Sequence, residues 1–203
     1  MADTTVLLWH GFMRSPRHVA PMIQRLEREG LAVMAPHVRG PIAMNRAAPA
    51  LRAVGALLDS SPASVVIVAH SAGAALGAWA ARALPPIQRC GLVLADGTDN
   101  LVQGFMRTLP ALRGMPVSLV DAEPSPCNRH GALTRQILAA HDRVQAVRVP
   151  GAGHGDFERD VAGQRNAGPR ALYARVCGDR SSDAIADQFQ EAVVAAVLAM
   201  LAA

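Results

Sequence analysis

Residues 64–75, Ser64-Val65-Val66-Ile67-Val68-Ala69-His70-Ser71-Ala72-Gly73-Ala74-Ala75, decide how the rest of the chain is read. The β-branched and apolar run from Ser64 to Ala69 predicts a strand buried on both faces, and the Ala-rich stretch from Ala72 to Leu84, stopped by Pro85-Pro86, predicts a helix. Between them the chain must turn sharply at a single serine. Strand and helix backbones nearly touch at such a turn, so the positions two before and two after the serine must be small, and Ala69 and Gly73 are. The turn lifts the Ser71 hydroxyl out of the sheet and sets the Ala72 amide at a helix N-terminus, where developing negative charge is stabilised. A serine that merely caps a buried helix would fit the same residue type. That reading leaves unexplained the acids and the histidine that follow in the chain.

Working outward, strand and helix alternate. Thr4–Trp9 reads as a buried strand; Ser15 caps a helix with Pro16 in its first turn, Val19, Met22, Ile23 and Leu26 on one face and Gly30 at its end. Leu31–Ala35, Gly91–Ala95, Pro116–Val120 and Val144–Val149 read as further strands. Helices are expected over Asn45–Leu58, Gly131–Ala140 and Ser182–Leu201, and Phe157–Arg180 has the composition of a surface loop or irregular helix. Continuous apolar strands alternating with helices predict an α/β fold, a mostly parallel six-stranded sheet covered on both faces.

The 203 residues suit a single domain spanning 1–203. With 51% hydrophobic and 18% charged residues a packed core is expected, and with 3% aromatics there is no row of rings on which to stack bases. The net charge is +4, but the twenty basic residues are all arginines scattered from Arg14 to Arg180, without the clustering that marks a nucleic-acid partner. Met1-Ala2-Asp3-Thr4-Thr5 lacks the features of an export signal, so a cytoplasmic location is expected. The longest apolar stretch, Ala192–Ala203, has 12 residues, short of the roughly 20 of a membrane span. Cys90, Cys127 and Cys177 lack metal-ligand spacing and read as three reduced thiols, although Cys127 and Cys177 lie in loops and could pair in an exported protein.

In a sheet of this kind the ligand site lies at the carboxyl ends of the strands. The residues found there are His10-Gly11-Phe12-Met13, Pro36-His37, His70-Ser71-Ala72-Gly73, Asp96-Gly97-Thr98-Asp99, Asp121-Ala122-Glu123 and Gly151-Ala152-Gly153-His154. A serine hydroxyl is a poor nucleophile until a base takes its proton, and a neighbouring imidazole does that at neutral pH. His10 is placed to support the loop after the first strand. Asp156-Phe157-Glu158, Asn128 and Asp99 are placed to steady other loops. A metal site from His10, His70 and His154 would lack ligand spacing and a carboxylate pattern.

The His10-Gly11 pair, the serine turn with Ala69 as its first small residue, and the late Gly151-Ala152-Gly153-His154 together resemble the α/β-hydrolase superfamily over essentially the whole chain. The resemblance implies an α/β-hydrolase fold, Ser71 as nucleophile, His154 as general base, and the amides of Phe12 and Ala72 as oxyanion hole. The acid departs from the common pattern. Where the superfamily usually has an aspartate, the sequence Glu123-Pro124-Ser125-Pro126 offers Ser125. Asp96, 25 residues past the serine, resembles the arrangement of chlorophyllases and plasma-type platelet-activating-factor acetylhydrolases; Glu123 is the alternative acid, and Asp121 a third.

About 20 residues separate Asp96 from Pro116, too few for a substantial cap, so the substrate would meet Met13, His70, Leu101 and Phe105, with Phe12 and Met44 nearby. The function so implied is serine hydrolysis of a carboxylic ester of a small to medium acyl group through an acyl-enzyme, with a small-molecule ester as partner and no cofactor. Thioester or lactone hydrolysis, acyl transfer, and a non-catalytic binding protein of the same fold remain open alternatives.

Overall fold

The computed structural model describes residues 4–12, 14–40, 42–158 and 181–203. Six strands, β1 (Thr4–Trp9), β2 (Ala32–Met34), β3 (Ser64–His70), β4 (Arg89–Ala95), β5 (Val117–Asp121) and β6 (Val144–Arg148), form one sheet in the order β2-β1-β3-β4-β5-β6. Every neighbouring pair is parallel. The helices are α1 (Ala20–Arg28), α2 (Ala48–Asp59), α3 (Gly73–Ala83), α4 (Gly104–Thr108), α5 (Ala132–Ala140) and α6 (Asp183–Leu201).

Successive strand residues point to opposite faces, so a strand apolar at every position feeds two cores at once. Leu7, Trp9, Ile67, Ala69, Leu92, Leu94 and Leu119 pack with α2, α3, α4 and α5. Val6, Leu8, Val66, Val68, Val93 and Val120 pack with α1 and α6, which contributes Phe189, Val193 and Val197. By length and composition α6 is apolar enough to cross a membrane. Phe189, Val193 and Val197 are fully buried against the sheet.

The small residues around the serine have a visible cause. A Cβ on Gly73 would lie 2.7 Å from the His10 carbonyl oxygen, and one on Gly77 would lie 2.9 Å from the Ala69 methyl, so α3 rests directly on β1 and β3.

Several expectations change. The Asn45–Leu58 helix begins later, at Ala48, after a separate turn over Ala43–Asn45. The short helix α4 was not expected from the sequence. Asp99 builds it: Oδ1 accepts from the Phe105 amide at 2.9 Å and Oδ2 from the Met106 amide at 3.0 Å. Finally, β6 is a mostly exposed edge strand rather than a covered one. Cys90 is a free thiol, but Cys127 is disulfide-bonded, so the reading of three reduced thiols fails at Cys127. Cys177 and most of the patternless Phe157–Arg180 stretch lie outside the described residues.

Candidate active site

The carboxyl ends of β1, β3, β4 and β5 and the loop after β6 meet around Ser71. The serine has φ +52°, a left-handed conformation that a non-glycine residue holds only when its surroundings enforce it. Its amide donates to the Ala95 carbonyl at 3.3 Å, and its carbonyl accepts from Thr98 N at 3.0 Å and Ala74 N at 3.0 Å. Sheet, loop and helix thus hold the turn from three sides. Ala72 is the N-cap of α3, so its amide lies at the positive end of that helix.

His154 is buried and bridges two groups. Its Nε2 lies 2.8 Å from Ser71 Oγ, and its Nδ1 hydrogen-bonds Asp96 Oδ2. The carboxylate can only accept, so Nδ1 carries the proton and Nε2 presents a lone pair to the serine hydroxyl. Asp96 stands at the end of β4, its amide bonded to the Val120 carbonyl at 2.8 Å and its φ at +45°. Oδ1 accepts from Ala122 N at 3.1 Å and from Asn128 Nδ2 at 3.0 Å; Asn128 also reaches Oδ2 at 3.2 Å. Asn128 therefore aims the acid, a part the sequence suggested only as loop support.

The other two acids sit elsewhere. Glu123 is exposed and accepts from Gly151 N at 3.2 Å. Asp121 is buried and accepts from Thr134 Oγ1 at 2.9 Å. Burial, reinforced by the nearby Asp96 charge, raises its carboxyl to about 6 against the pull of Thr134 and Arg148.

The loop carrying His154 is anchored from behind. Asp156 Oδ2 accepts from Gly153 N at 2.8 Å, Ser181 Oγ donates to Asp156 Oδ1, and Gln190 Nε2 on α6 donates to the carbonyls of Asp156 at 3.3 Å and Phe157 at 3.2 Å.

Two neighbouring histidines occupy opposite environments. His10 Nδ1 donates to the Gly11 carbonyl at 2.9 Å while Nε2 accepts from Val38 N at 3.2 Å; this is a neutral ring, and burial lowers its pKa. His70 places Nδ1 2.9 Å from Glu158 Oε1 and Nε2 2.9 Å from the His154 carbonyl. Burial disfavours its charge, but the Glu158 carboxylate and the His154 carbonyl outweigh burial and raise its pKa.

Of the residues expected to meet a substrate, Leu101 is 83% exposed and Phe12 46% exposed, both beside the serine's loops. His70 and Phe105 correct the expectation, since neither reaches solvent. His70 is held behind the serine by its two oxygen partners. Phe105 is turned into the core by the Asp99 and Asn100 caps of α4, Asn100 Oδ1 accepting from Gly104 N at 2.8 Å. Met13 lies outside the described residues. Among the described residues no group of three or more His, Cys, Asp or Glu side chains is arranged to hold a metal ion.

No protein-family model and no curated protein matches the sequence. Solved structures do match in shape. A metagenome-derived lipolytic enzyme superposes with a TM-score of 0.60 at 15% identity, over 86% of this chain and 92% of its own. A pyrethroid hydrolase matches with a TM-score of 0.57 at 16% identity, over 87% and 99%. An esterase from Pyrococcus furiosus matches with a TM-score of 0.54 at 14% identity, over 86% and 79%. At such identities the likeness is one of fold.

Proposed function

We propose that this chain, which has the α/β-hydrolase fold, is a serine hydrolase that cleaves carboxylic esters through an acyl-enzyme on Ser71. The observation that carries the reading is the buried hydrogen-bonded sequence Ser71 Oγ, His154 Nε2, His154 Nδ1, Asp96 Oδ2, assembled from three different strand ends. Ester hydrolysis among the structural neighbours agrees with it.

In this reading Ser71 Oγ attacks the ester carbonyl carbon as its proton passes to His154 Nε2. The carbonyl π-electrons move onto oxygen, where the amides of Phe12 and Ala72 stabilise the charge. Collapse expels the alcohol, which takes the proton from Nε2 and leaves an acyl ester on Ser71. Water then repeats the sequence, giving its proton to Nε2 and releasing the acid with Ser71 restored. Asp96 keeps the Nδ1 proton in place and compensates the imidazolium formed in each half-reaction.

The rim suits small to medium acyl groups. Between β4 and β5 the longest helix, α4, has five residues, so that stretch supplies no lid, and Phe12 and Leu101 present apolar surface to the opening. Asn45 Oδ1 accepts from the Leu101 amide at 3.1 Å and joins the loops on that side.

A fluorophosphonate probe tests the nucleophile without knowledge of the substrate. One adduct, mapped to Ser71 and abolished in Ser71→Ala, is expected; folded protein that gains no adduct would remove the proposal. A series of p-nitrophenyl esters then tests the acyl range, and hydrolysis confined to long chains would contradict an open, shallow site.

A further inference from the structure

His70 and Glu158 form a buried pair directly behind the proposed nucleophile, and the proton relay does not use them. Both ring nitrogens of His70 face oxygens, Glu158 Oε1 at 2.9 Å and the His154 carbonyl at 2.9 Å. A neutral imidazole has one N–H and would press a lone pair against the other oxygen; only the imidazolium donates to both. The compensating charge is Glu158, whose side chain is 3% exposed. Burial would raise its carboxyl, but His70, Arg14 and the Gly11 amide hold it down at about 2.

The pair touches the segments that carry Phe12, Ser71 and His154. Glu158 Oε1 accepts from the Gly11 amide at 2.7 Å, one residue before Phe12, and Oε2 meets Arg14 Nε at 2.8 Å on the same loop. His70 precedes Ser71 in the chain and holds the backbone of His154 itself. A Cβ on Gly11 would fall 2.9 Å from Glu158 Oε1 and 3.1 Å from His70 Nδ1, so the loop lies flat against the pair. Phe157 stacks on the His70 ring at 4.8 Å and shields it from water.

We infer that Glu158, acting through a doubly donating His70, is a positioning residue that sets the Phe12 amide, Ser71 and His154 in register. The inference rests on the serine-hydrolase reading. Neither residue contacts the reacting atoms, so loss of the pair lowers turnover more than substrate affinity.

Among the described residues, the charged and titratable groups around His70 are Glu158 and Arg14, Asp96 at the end of β4, the His154 ring at 5.0 Å, and His10 across Gly11. A His with a raised pKa keeps its proton below that value and loses it as pH rises through it. Deprotonation would set the Nε2 lone pair against the His154 carbonyl and free that loop, giving kcat an alkaline limb.

Two measurements test this. In ¹⁵N-histidine spectra of the wild-type protein, both His70 ring nitrogens should be protonated at neutral pH, and the alkaline limb of kcat should coincide with their titration. In Glu158→Gln, kcat should fall about 100-fold, the cost of a small misplacement of reacting groups, with KM within about twofold. Its alkaline limb should also move to lower pH, because the Glu158 charge that raises the His70 pKa is gone. A neutral His70 in the wild type overturns the inference even if the variant does not fold. So does folded Glu158→Gln with wild-type kcat across the pH range. If Ser71 labels and turns over esters while His70 is neutral, this inference alone fails. If Ser71 never labels, the hydrolase reading fails and takes the positioning role with it, whatever the state of His70.

Discussion

Replacing Asp96 by asparagine reverses the direction of one hydrogen bond, and the structure states which way the new amide points. Oδ1 of Asp96 faces two donors, Ala122 N at 3.1 Å and Asn128 Nδ2 at 3.0 Å. An NH₂ group there would oppose both, so the amide oxygen takes that place and the NH₂ turns towards His154 Nδ1. His154 must then accept at Nδ1 and carry its proton on Nε2, 2.8 Å from Ser71 Oγ. A ring in that tautomer donates to the serine and cannot take its proton. The cost of a wrong tautomer in a serine triad is about 10³- to 10⁴-fold in kcat, roughly 4–5.5 kcal/mol of barrier. The fold should survive, because side-chain volume and the Ala122 and Asn128 bonds are kept. The assay is turnover of an activated ester together with the rate of fluorophosphonate labelling, with Glu123→Gln as control. Glu123 is exposed and bonds Gly151 N, so its variant should stay within about twofold of wild type. A folded Asp96→Asn protein with turnover within about tenfold of wild type, or a larger loss in Glu123→Gln, would refute the assignment of the acid.

Other consequences can be checked directly. Asp121 has its carboxyl raised from 3.8 to about 6, so the fold favours its protonated form. That contribution is present below the unfolded value and is lost as pH rises through 6, a penalty of about 3 kcal/mol at most at pH 8. Asp121→Asn should therefore raise Tm at pH 8 by several degrees and leave it nearly unchanged at pH 4, and equal Tm values at pH 8 would contradict this. Phe105→Ala should cost about 3–5 kcal/mol in urea unfolding without changing KM for small esters, since the ring is in the core and not at the opening. In denaturant without reductant, iodoacetamide should alkylate Cys90 and spare Cys127; peptide mapping that finds Cys127 modified would remove its disulfide.

The sheet was legible because its central strands carry near-continuous apolar runs and its helices carry their own stops. Residues 64–75 showed the serine turn for the same reason: the close approach of α3 to β1 and β3 leaves room only for small side chains, and that constraint is local in sequence. The acid was legible only as a preference for Asp96, because three carboxylates end adjacent strands and only the through-space contact with His154 Nδ1 separates Asp96 from Asp121 and Glu123. Asn128 and Glu158 act on partners 32 and 147 residues away, Asp96 and the Gly11 amide, a range that no periodicity reports. Helix α4 escaped notice because five residues show no hydrophobic period, and a preceding aspartate rather than an apolar stripe makes it.

The hold of Gln190 on the loop after His154 ties the proposed site to a helix that contributes no reacting group. Ser71 and Asp96 lie in the first half of the sequence, whereas Gln190, which helps seat the loop after His154, lies on α6. A chain clipped before Asp183 would keep the His70 bond to the His154 carbonyl but lose the Gln190 bonds to the carbonyls of Asp156 and Phe157. Under the proposed function, a chain without α6 in place should therefore hydrolyse esters more slowly than the complete fold.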